Sequence, residues 1–290
     1  MTTPLITFST LACPEWDIRT VISRAQEFGY GGIEWRGGPQ GHLRPGMPLS
    51  EIRDLKKRML DSGLVSLAVT AYTTFVSPDE RIRTSSLNEL KRYLDLAAEA
   101  GAGFVRTFLG ELPNGADRSD AYPYILDCLK EGAAYASACG VAIVIEPHDD
   151  FVLARSIDPI LKQIDQPSLS VIWDFGNAYA AGEEPEEGFG LLKGRIAYVQ
   201  VKDGRGRGQS WRLCPVGQGE VPLAKIFGLL LDAGYQGAFS IEWERAWHPE
   251  LDPPEVALPA ALRTLSNLRL GEQAAEPDPT PNSSKEITIP

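Results

Sequence analysis

The sequence predicts a single α/β domain folded as a closed (β/α)₈ barrel, and three observations favour that class. Short apolar, β-branched runs alternate with longer helical patterns, as expected for parallel strands joined by crossover helices. Eight such runs occur, and eight strands close a barrel rather than forming an open sheet. The chain has 290 residues, enough for a barrel of this class, which takes roughly 250 residues.

The strands are predicted from the apolar runs and from the residues that end the helices. In chain order the predicted strands are 5–10, 31–36, 64–71, 103–109, 141–146, 169–174, 196–201 and 237–243. A glycine suited to the left-handed position after a helix follows five of the helical segments, at Gly29, Gly63, Gly101, Gly140 and Gly234. The barrel is therefore predicted to span 1–270. The segment 271–290 is polar and rich in proline, which predicts a disordered extension.

Composition and charge exclude several classes of partner. The chain carries 28 Lys and Arg against 39 Asp and Glu, a formal charge of −11, which argues against nucleic-acid binding. There is no apolar run of about 18 residues, so no membrane span is expected. The first residues lack the basic and apolar regions of a signal peptide. The four cysteines have no metal-ligand spacing and are interpreted as reduced thiols in a cytoplasmic protein.

Polar residues end the last four predicted strands, where the active site of such a barrel lies. They are Glu146, Asp174, Gln200 and Glu242. Three carboxylates converging at one barrel mouth would repel each other, and a divalent cation removes that conflict. Carboxylate and amide oxygens favour Mn²⁺, with Mg²⁺ or Co²⁺ as alternatives. The competing interpretation is that each is an ordinary strand-end residue, salt-bridged or solvated.

Six motifs resemble those of a known family. They are GGIEWR (31–36), VIEPH (144–148), IWDFGN (172–177), VQVKD (199–203), GQGEV (217–221) and SIEWE (240–244). Their order and spacing resemble the xylose-isomerase-like TIM-barrel superfamily, also described as sugar phosphate isomerases and epimerases. The resemblance implies a metal site of Glu, Asp, His and Glu on four successive strands. This chain has Gln200 at the histidine position, and Asn177 where many sugar epimerases carry a substrate-binding histidine.

The resemblance implies a metal-dependent isomerase or epimerase acting on a small polyhydroxylated carbonyl compound in carbohydrate metabolism. Glu146 and Glu242 would act on opposite sides of the substrate, one removing a proton and the other returning one through an enediolate. The alternative is a lyase, similar to 3-dehydroshikimate dehydratases or inosose dehydratases, in which the enolate expels a hydroxyl group. Gln200 gives weight to that alternative.

Two further classes of protein compete with these enzymes as interpretations of the sequence. A nuclease of the endonuclease-IV type shares the barrel, but three histidines and the acidic charge argue against it. A non-catalytic barrel would bind no stoichiometric metal. Dimers and tetramers are common in such families, so a homo-oligomer is possible.

Six residues are candidates for substrate binding: His148, Asn177, Lys202, Arg106, Glu34 and His248. His148 suits a hydroxyl contact or a proton carrier, with a backbone-bonded loop histidine as the alternative. The planar guanidinium of Arg106 suits a carboxylate, phosphate or hydroxyl group. Its alternative is a structural ion pair with Glu34 across the barrel. Lys202 could polarise a substrate oxygen or pair with a neighbouring carboxylate. His248 could reach over the mouth from the last loop, or belong to the surface.

Overall fold

Eight parallel strands close into a barrel in the computed structural model, which describes residues 4–269. The strands of the chain are β1 (Ile6–Ser9), β2 (Gly32–Arg36), β3 (Val65–Thr70), β4 (Phe104–Thr107), β5 (Ala142–Ile145), β6 (Leu169–Asp174), β7 (Ile196–Val201), β8 (Asp203–Arg205), β9 (Arg212–Cys214) and β10 (Ala238–Ile241). Strands β1 to β7 follow one another around the barrel, and β10 closes it between β7 and β1. All eight predicted strands are confirmed, the observed ones being up to three residues shorter. Strands β8 and β9, which were not predicted, form a separate antiparallel hairpin.

Helices connect the barrel strands. They are α1 (Ile18–Phe28), α2 (Leu49–Asp61), α3 (Glu80–Ala100), α4 (Arg118–Cys139), α5 (Ala154–Gln163), α6 (Phe175–Ala180), α7 (Pro185–Leu192), α8 (Leu223–Asp232) and α9 (Pro254–Arg269). Gly29, Gly101 and Gly140 end their helices in the left-handed conformation, and Gly63 and Gly234 adopt it one residue later. The predicted helix ends are therefore confirmed.

The inner face of the barrel changes from apolar to polar toward the carboxyl ends of the strands. Its lower part is filled by a small apolar cluster that includes Val144, Ile172, Tyr198 and Ala238. Side chains two residues apart on a strand share a face. The residues two positions further along these strands are the four candidate ligands or their neighbours: Glu146, Asp174, Gln200 and Ser240. The fold thus places the polar residues at the carboxyl ends of the strands, above apolar side chains that fill the interior of the barrel.

Several predictions concern the chain outside this site. The proposed extension at 271–290 lies outside the described residues. Within residues 4–269, no helix has the length and hydropathy that crossing a membrane requires. The four cysteines are free thiols, as predicted: Cys13 and Cys128 are buried, Cys139 and Cys214 partly so.

A buried carboxyl group away from the barrel mouth gives a stability prediction. Glu183 accepts a hydrogen bond from the backbone N–H of Ala154 at 2.8 Å, and burial raises its pKa from 4.5 to about 7. Because the folded pKa exceeds the unfolded one, its contribution to stability is lost as the pH rises through 7. Glu183→Gln should therefore raise the free energy of unfolding by about 1–3 kcal/mol at pH 8, but by less than about 1 kcal/mol at pH 5.

Urea unfolding at the two pH values measures this difference. Glu111→Gln is the control, because Glu111 is exposed and is not among the charges that act on Glu183. Equal stabilisation of the Glu183 variant at both pH values would show that ionisation of the carboxyl is not the cause.

Candidate active site

The structure brings Glu146, Asp174, Gln200 and Glu242 together at the barrel mouth. Asp174 and Gln200 are register partners on β6 and β7, while Glu146 and Glu242 directly follow β5 and β10. All four side chains are buried. One carboxylate oxygen from each of the three acids lies within 4.8 Å of the other two. The four predicted ligands therefore occupy one small volume.

Each of these four residues has one buried oxygen that accepts no hydrogen bond: Glu146 Oε2, Asp174 Oδ2, Gln200 Oε1 and Glu242 Oε2. Buried polar atoms are normally satisfied, and an unsatisfied one costs about 1–3 kcal/mol. A cluster of four acceptors, all oxygen, has the donor set that hard divalent cations prefer. The residues present thus fit a divalent metal ion.

The orientation of Gln200 is fixed by two carboxylates. Its Nε2 donates to Glu34 Oε1 at 3.0 Å and to Glu242 Oε1 at 3.1 Å. Both N–H bonds of the amide are thereby used, and Oε1 is the atom left for a ligand. Glu34 is fully buried and also accepts hydrogen bonds from Tyr198 at 2.9 Å and Ser240 at 2.5 Å. Glu34 therefore holds Gln200 from inside the barrel, as residues behind metal ligands commonly do.

The alternative ion pair between Glu34 and Arg106 is not formed within the described residues. The Nε of Arg106 lies 3.2 Å from Oε2 of Glu146 instead. Both oxygens of Glu34 already accept hydrogen bonds from side chains inside the barrel, so Arg106 pairs with Glu146, which directly follows β5. Arg106 is 1% exposed, and its guanidinium lies over the ring of Phe108 at 3.9 Å.

Lys202 is the local counter-ion of the acidic cluster. Its Nζ lies 3.0 Å from Oδ2 of Asp174, and 2.5 Å from both Oε2 of Glu242 and Oε1 of Glu244. It also donates to Oδ1 of Asn177 at 3.1 Å. Of the two interpretations of Lys202, the structure therefore shows the ion pair with neighbouring carboxylates. The oxygens of Asp174 and Glu242 that face Lys202 accept no hydrogen bond and are paired with it only as ions.

Glu244 is a site residue that the sequence analysis did not select. It is joined to the cluster through Lys202 and lies two residues after Glu242 in the SIEWE motif. That same spacing places Lys202 after Gln200, so the i, i+2 pattern was the signal available for both.

The remaining predicted residues lie at or above this cluster. A cavity of about 530 Å³ opens at the mouth, within the size range of small-molecule sites. Its lining includes His148, Asn177, His248, Trp211, Glu244 and Leu251. Asn177 Nδ2 is buried and without a partner, which leaves it as a donor for a ligand. His148 lies 2.7 Å from Asp149, and His248 lies 3.3 Å from Glu250, so both histidines pair with loop carboxylates.

Comparisons with known proteins agree with this architecture. A family model described as xylose isomerase-like TIM barrel matches residues 22–268. The chain belongs to this family. A curated relative, fructoselysine 3-epimerase of Escherichia coli O157:H7, is 23% identical over 228 residues, which cover 75% of this chain and 82% of the relative.

Two solved structures share the fold of this xylose isomerase-like barrel. The IOLI protein with a bound zinc atom has a TM-score of 0.79 and 18% identity, covering 94% of this chain and 100% of that one. The probable 3-DHS dehydratase AsbF of Bacillus anthracis has a TM-score of 0.70 and 16% identity, covering 91% and 99%.

One carboxylate anchors the loop that forms a wall of the mouth of this xylose isomerase-like barrel. Asp203 is buried and accepts hydrogen bonds from four backbone N–H groups, those of Gly204, Gly217, Gly219 and Val221. A Cβ at Gly219 would lie 2.0 Å from Oδ1 of Asp203, so only glycine allows this approach. The GQGEV motif is thereby explained, and the enclosed loop carries Trp211 to the cavity.

Two acids of the cluster, Glu146 and Glu242, have raised pKa values, chiefly because they are buried. Burial raises the pKa of Glu242 well above its ordinary value; Glu146 and Asp174 add to the rise, and Lys202 opposes it. Burial also raises the pKa of Glu146, which Arg106 opposes. The cluster without a bound cation therefore holds a proton at pH values where exposed carboxyl groups are ionised.

A cation entering this cluster is expected to displace that proton. Binding of Mn²⁺ at pH 6 should release about one proton per ion, and the affinity should fall as the pH is lowered, because the proton competes with the metal. Calorimetric titration in buffers of different ionisation enthalpy measures the release. An enthalpy that does not depend on the buffer would contradict the expectation. Glu242→Gln should reduce the release, since glutamine carries no titrating proton.

Proposed function

We propose that this protein is a divalent-metal-dependent epimerase or isomerase of a small polyhydroxylated carbonyl compound. The observation that carries the proposal is the set of four buried oxygens on Glu146, Asp174, Gln200 and Glu242 that accept no hydrogen bond, three of which face the cationic groups of Arg106 and Lys202. The activity named for the relative, a 3-epimerase of fructoselysine, supports the substrate class. The zinc atom in a structure of the same fold supports metal binding. For this chain the all-oxygen donor set favours Mn²⁺, with Mg²⁺ or Co²⁺ as alternatives.

A divalent cation held by these residues would polarise a substrate carbonyl and acidify the adjacent carbon. Glu146 and Glu242 reach the mouth from β5 and β10, which are separated by β6 and β7. They can therefore approach one substrate carbon from different sides. One of the two carboxyl groups would remove the proton from that carbon, and the other would return a proton to the opposite face. Arg106, whose Nε lies 3.2 Å from Oε2 of Glu146, would help to hold Glu146 in place.

Other residues of the mouth bind and orient the substrate. The free Nδ2 of Asn177 can donate to a hydroxyl group, and Lys202 lies beside it. His148 and His248 border the cavity and can contact the hydroxyl groups more distant from the reacting carbon. Burial of the acids keeps bulk water away from the proton being transferred.

The experiment is a panel of ketoses, inososes and keto acids incubated with Mn²⁺-loaded protein in D₂O, followed by NMR and mass spectrometry. An epimerase or isomerase places one deuterium on the product carbon and otherwise leaves the mass unchanged. Metal analysis of the same preparation should find one divalent ion per chain. Lack of stoichiometric metal, or lack of exchange with every class of substrate, would exclude the proposal.

A lyase is the second candidate because Gln200 occupies the histidine position of the family pattern. The same fold is found in a probable 3-DHS dehydratase. In that reaction Glu146 would remove the carbon proton, and Glu242 would protonate a departing β-hydroxyl group, releasing water. The product would be an enone whose mass is lower than that of the substrate by about 18 units, the mass of one water molecule. The D₂O experiment therefore distinguishes the two reactions directly.

A further inference from the structure

Two buried arginines lie on the side of the mouth away from most of the candidate ligands. Arg36 ends β2 and Arg106 lies in β4, and both are register partners of Thr70 on β3. The two therefore share one row across three neighbouring strands, with Cα atoms about 10 Å apart. Arg36 follows Glu34 by two residues and so shares the inner face of the barrel.

Both arginines have hydrogen-bond donors with no acceptor. Arg36 is 6% exposed, its Nε is buried and unpartnered, and its guanidinium takes part in no ion pair among residues 4–269. The Nε and Nη1 of Arg106 are also without hydrogen bonds, and its one ion pair, with Glu146, spans 3.2 Å. A guanidinium has five N–H donors, and leaving a buried charge unpaired is costly. An anion placed between the two side chains would satisfy them.

Aromatic rings hold both guanidinium groups in place without using those donors. The Cζ of Arg36 lies 4.4 Å from the ring centre of Trp247, and that of Arg106 lies 4.8 Å from the ring centre of Tyr72. The two rings contact each other edge to face, with centres 6.3 Å apart. Contacts of this kind fix the plane of a guanidinium through its face, and its N–H groups remain free at the edge. Both rings are partly exposed at the mouth and lie directly over the two buried arginines.

We propose that Arg36 and Arg106 form an anion-binding subsite, and that the substrate therefore carries a carboxylate or phosphate group. This inference rests on the proposed function, because it assigns that group to the carbonyl substrate handled at the acidic cluster. A neutral polyol would leave the charge of Arg36 unpaired, whereas an oxyanion accepts two parallel N–H bonds from a guanidinium. The contact between Arg106 and Glu146 places the subsite next to one of the two residues proposed to transfer the proton.

The test compares three probes with one carbon skeleton: a ketohexose, the same ketohexose with a carboxylate at C6, and its 6-phosphate. Dissociation constants are measured by calorimetry with Mn²⁺-loaded protein. The wild type should bind one of the anionic probes at least about tenfold more tightly than the neutral ketohexose. Which anion is preferred distinguishes a carboxylate from a phosphate substrate. Equal affinity for all three probes, or no binding of either anion, would overturn the subsite.

Variants of Arg36 test whether this residue causes the preference for anions. Arg36→Gln should abolish the preference. Arg36→Lys retains the charge, and it should keep part of the preference even if the first variant misfolds. Arg44→Gln is the control and should keep the full preference, because Arg44 is exposed in the loop after β2. A preference that survives both Arg36 substitutions would reject the assignment.

Failure of this inference can be told from failure of the proposed function. Metal-dependent proton exchange on neutral ketoses, with no preference for anions, would reject the subsite alone. A preference for anions lost in Arg36→Gln, without stoichiometric metal or proton exchange, would reject the function and retain the subsite.

Discussion

Glu242→Gln is expected to lower kcat by about 10²- to 10⁴-fold, the range typical for loss of a positioned acid or base. Glutamine keeps an oxygen that can ligate a metal and keeps the shape of the side chain, but it cannot carry the transferable proton. Metal content should therefore stay near that of the wild type while turnover falls. The measurement is kcat under saturating Mn²⁺, with metal analysis of the same sample.

The matched control is Glu111→Gln. Glu111 is exposed in the loop after β4, at the same end of the barrel. Its substitution should leave kcat unchanged. If Glu242→Gln retained full turnover with metal bound, Glu242 would have no role as an acid or base.

Lys202→Met is expected to lower the free energy of unfolding of the metal-free protein by about 3–5 kcal/mol at pH 7, the usual cost of removing one partner of a buried ion pair. Lys202 is the ammonium closest to Asp174, Glu242 and Glu244. Without it their buried charges repel one another unopposed. The loss should shrink as the pH is lowered, since protonation neutralises the carboxyl groups.

Mn²⁺ should recover much of this loss, because a divalent cation supplies the missing positive charge to the same oxygens. Urea unfolding with and without Mn²⁺ measures both effects. Lys130→Met, at an exposed position of α4, should change stability by no more than about 0.5 kcal/mol. A loss that Mn²⁺ does not reduce would show that Lys202 acts apart from the candidate metal site.

The barrel and its four candidate metal ligands were predictable because both follow from local periodicity in the sequence. Apolar runs of fixed length, ended by glycines such as Gly29 and Gly101, mark each strand and helix without knowledge of tertiary contacts. Residues that end those runs, such as Glu146 and Asp174, must then meet at one end of the barrel. Direction along a strand and alternation across it suffice for that prediction.

Partner choice among the buried charges was not predictable in the same way. Glu34 and Arg106 have opposite charges on nearby strands, yet Glu34 is engaged by Gln200, Tyr198 and Ser240 from deeper in the barrel. The depth of each side chain depends on strand stagger, which the sequence of one strand does not encode. Arg36 was overlooked for a related reason, because a charged residue that ends a strand is commonly solvated. The hairpin of β8 and β9 has three residues per strand, too few for a period to be read.

The anchoring of the loop by Asp203 has an evolutionary consequence. Asp203 accepts hydrogen bonds from both ends of the loop. The segment that bears Trp211 is therefore closed at its base, next to Gln200 and Lys202 at the end of β7. Loops closed at their base tolerate changes of length and sequence at small energetic cost. Evolution can therefore change the sequence of this segment, and with it which molecules enter the cavity, without changing the residues that carry out the reaction.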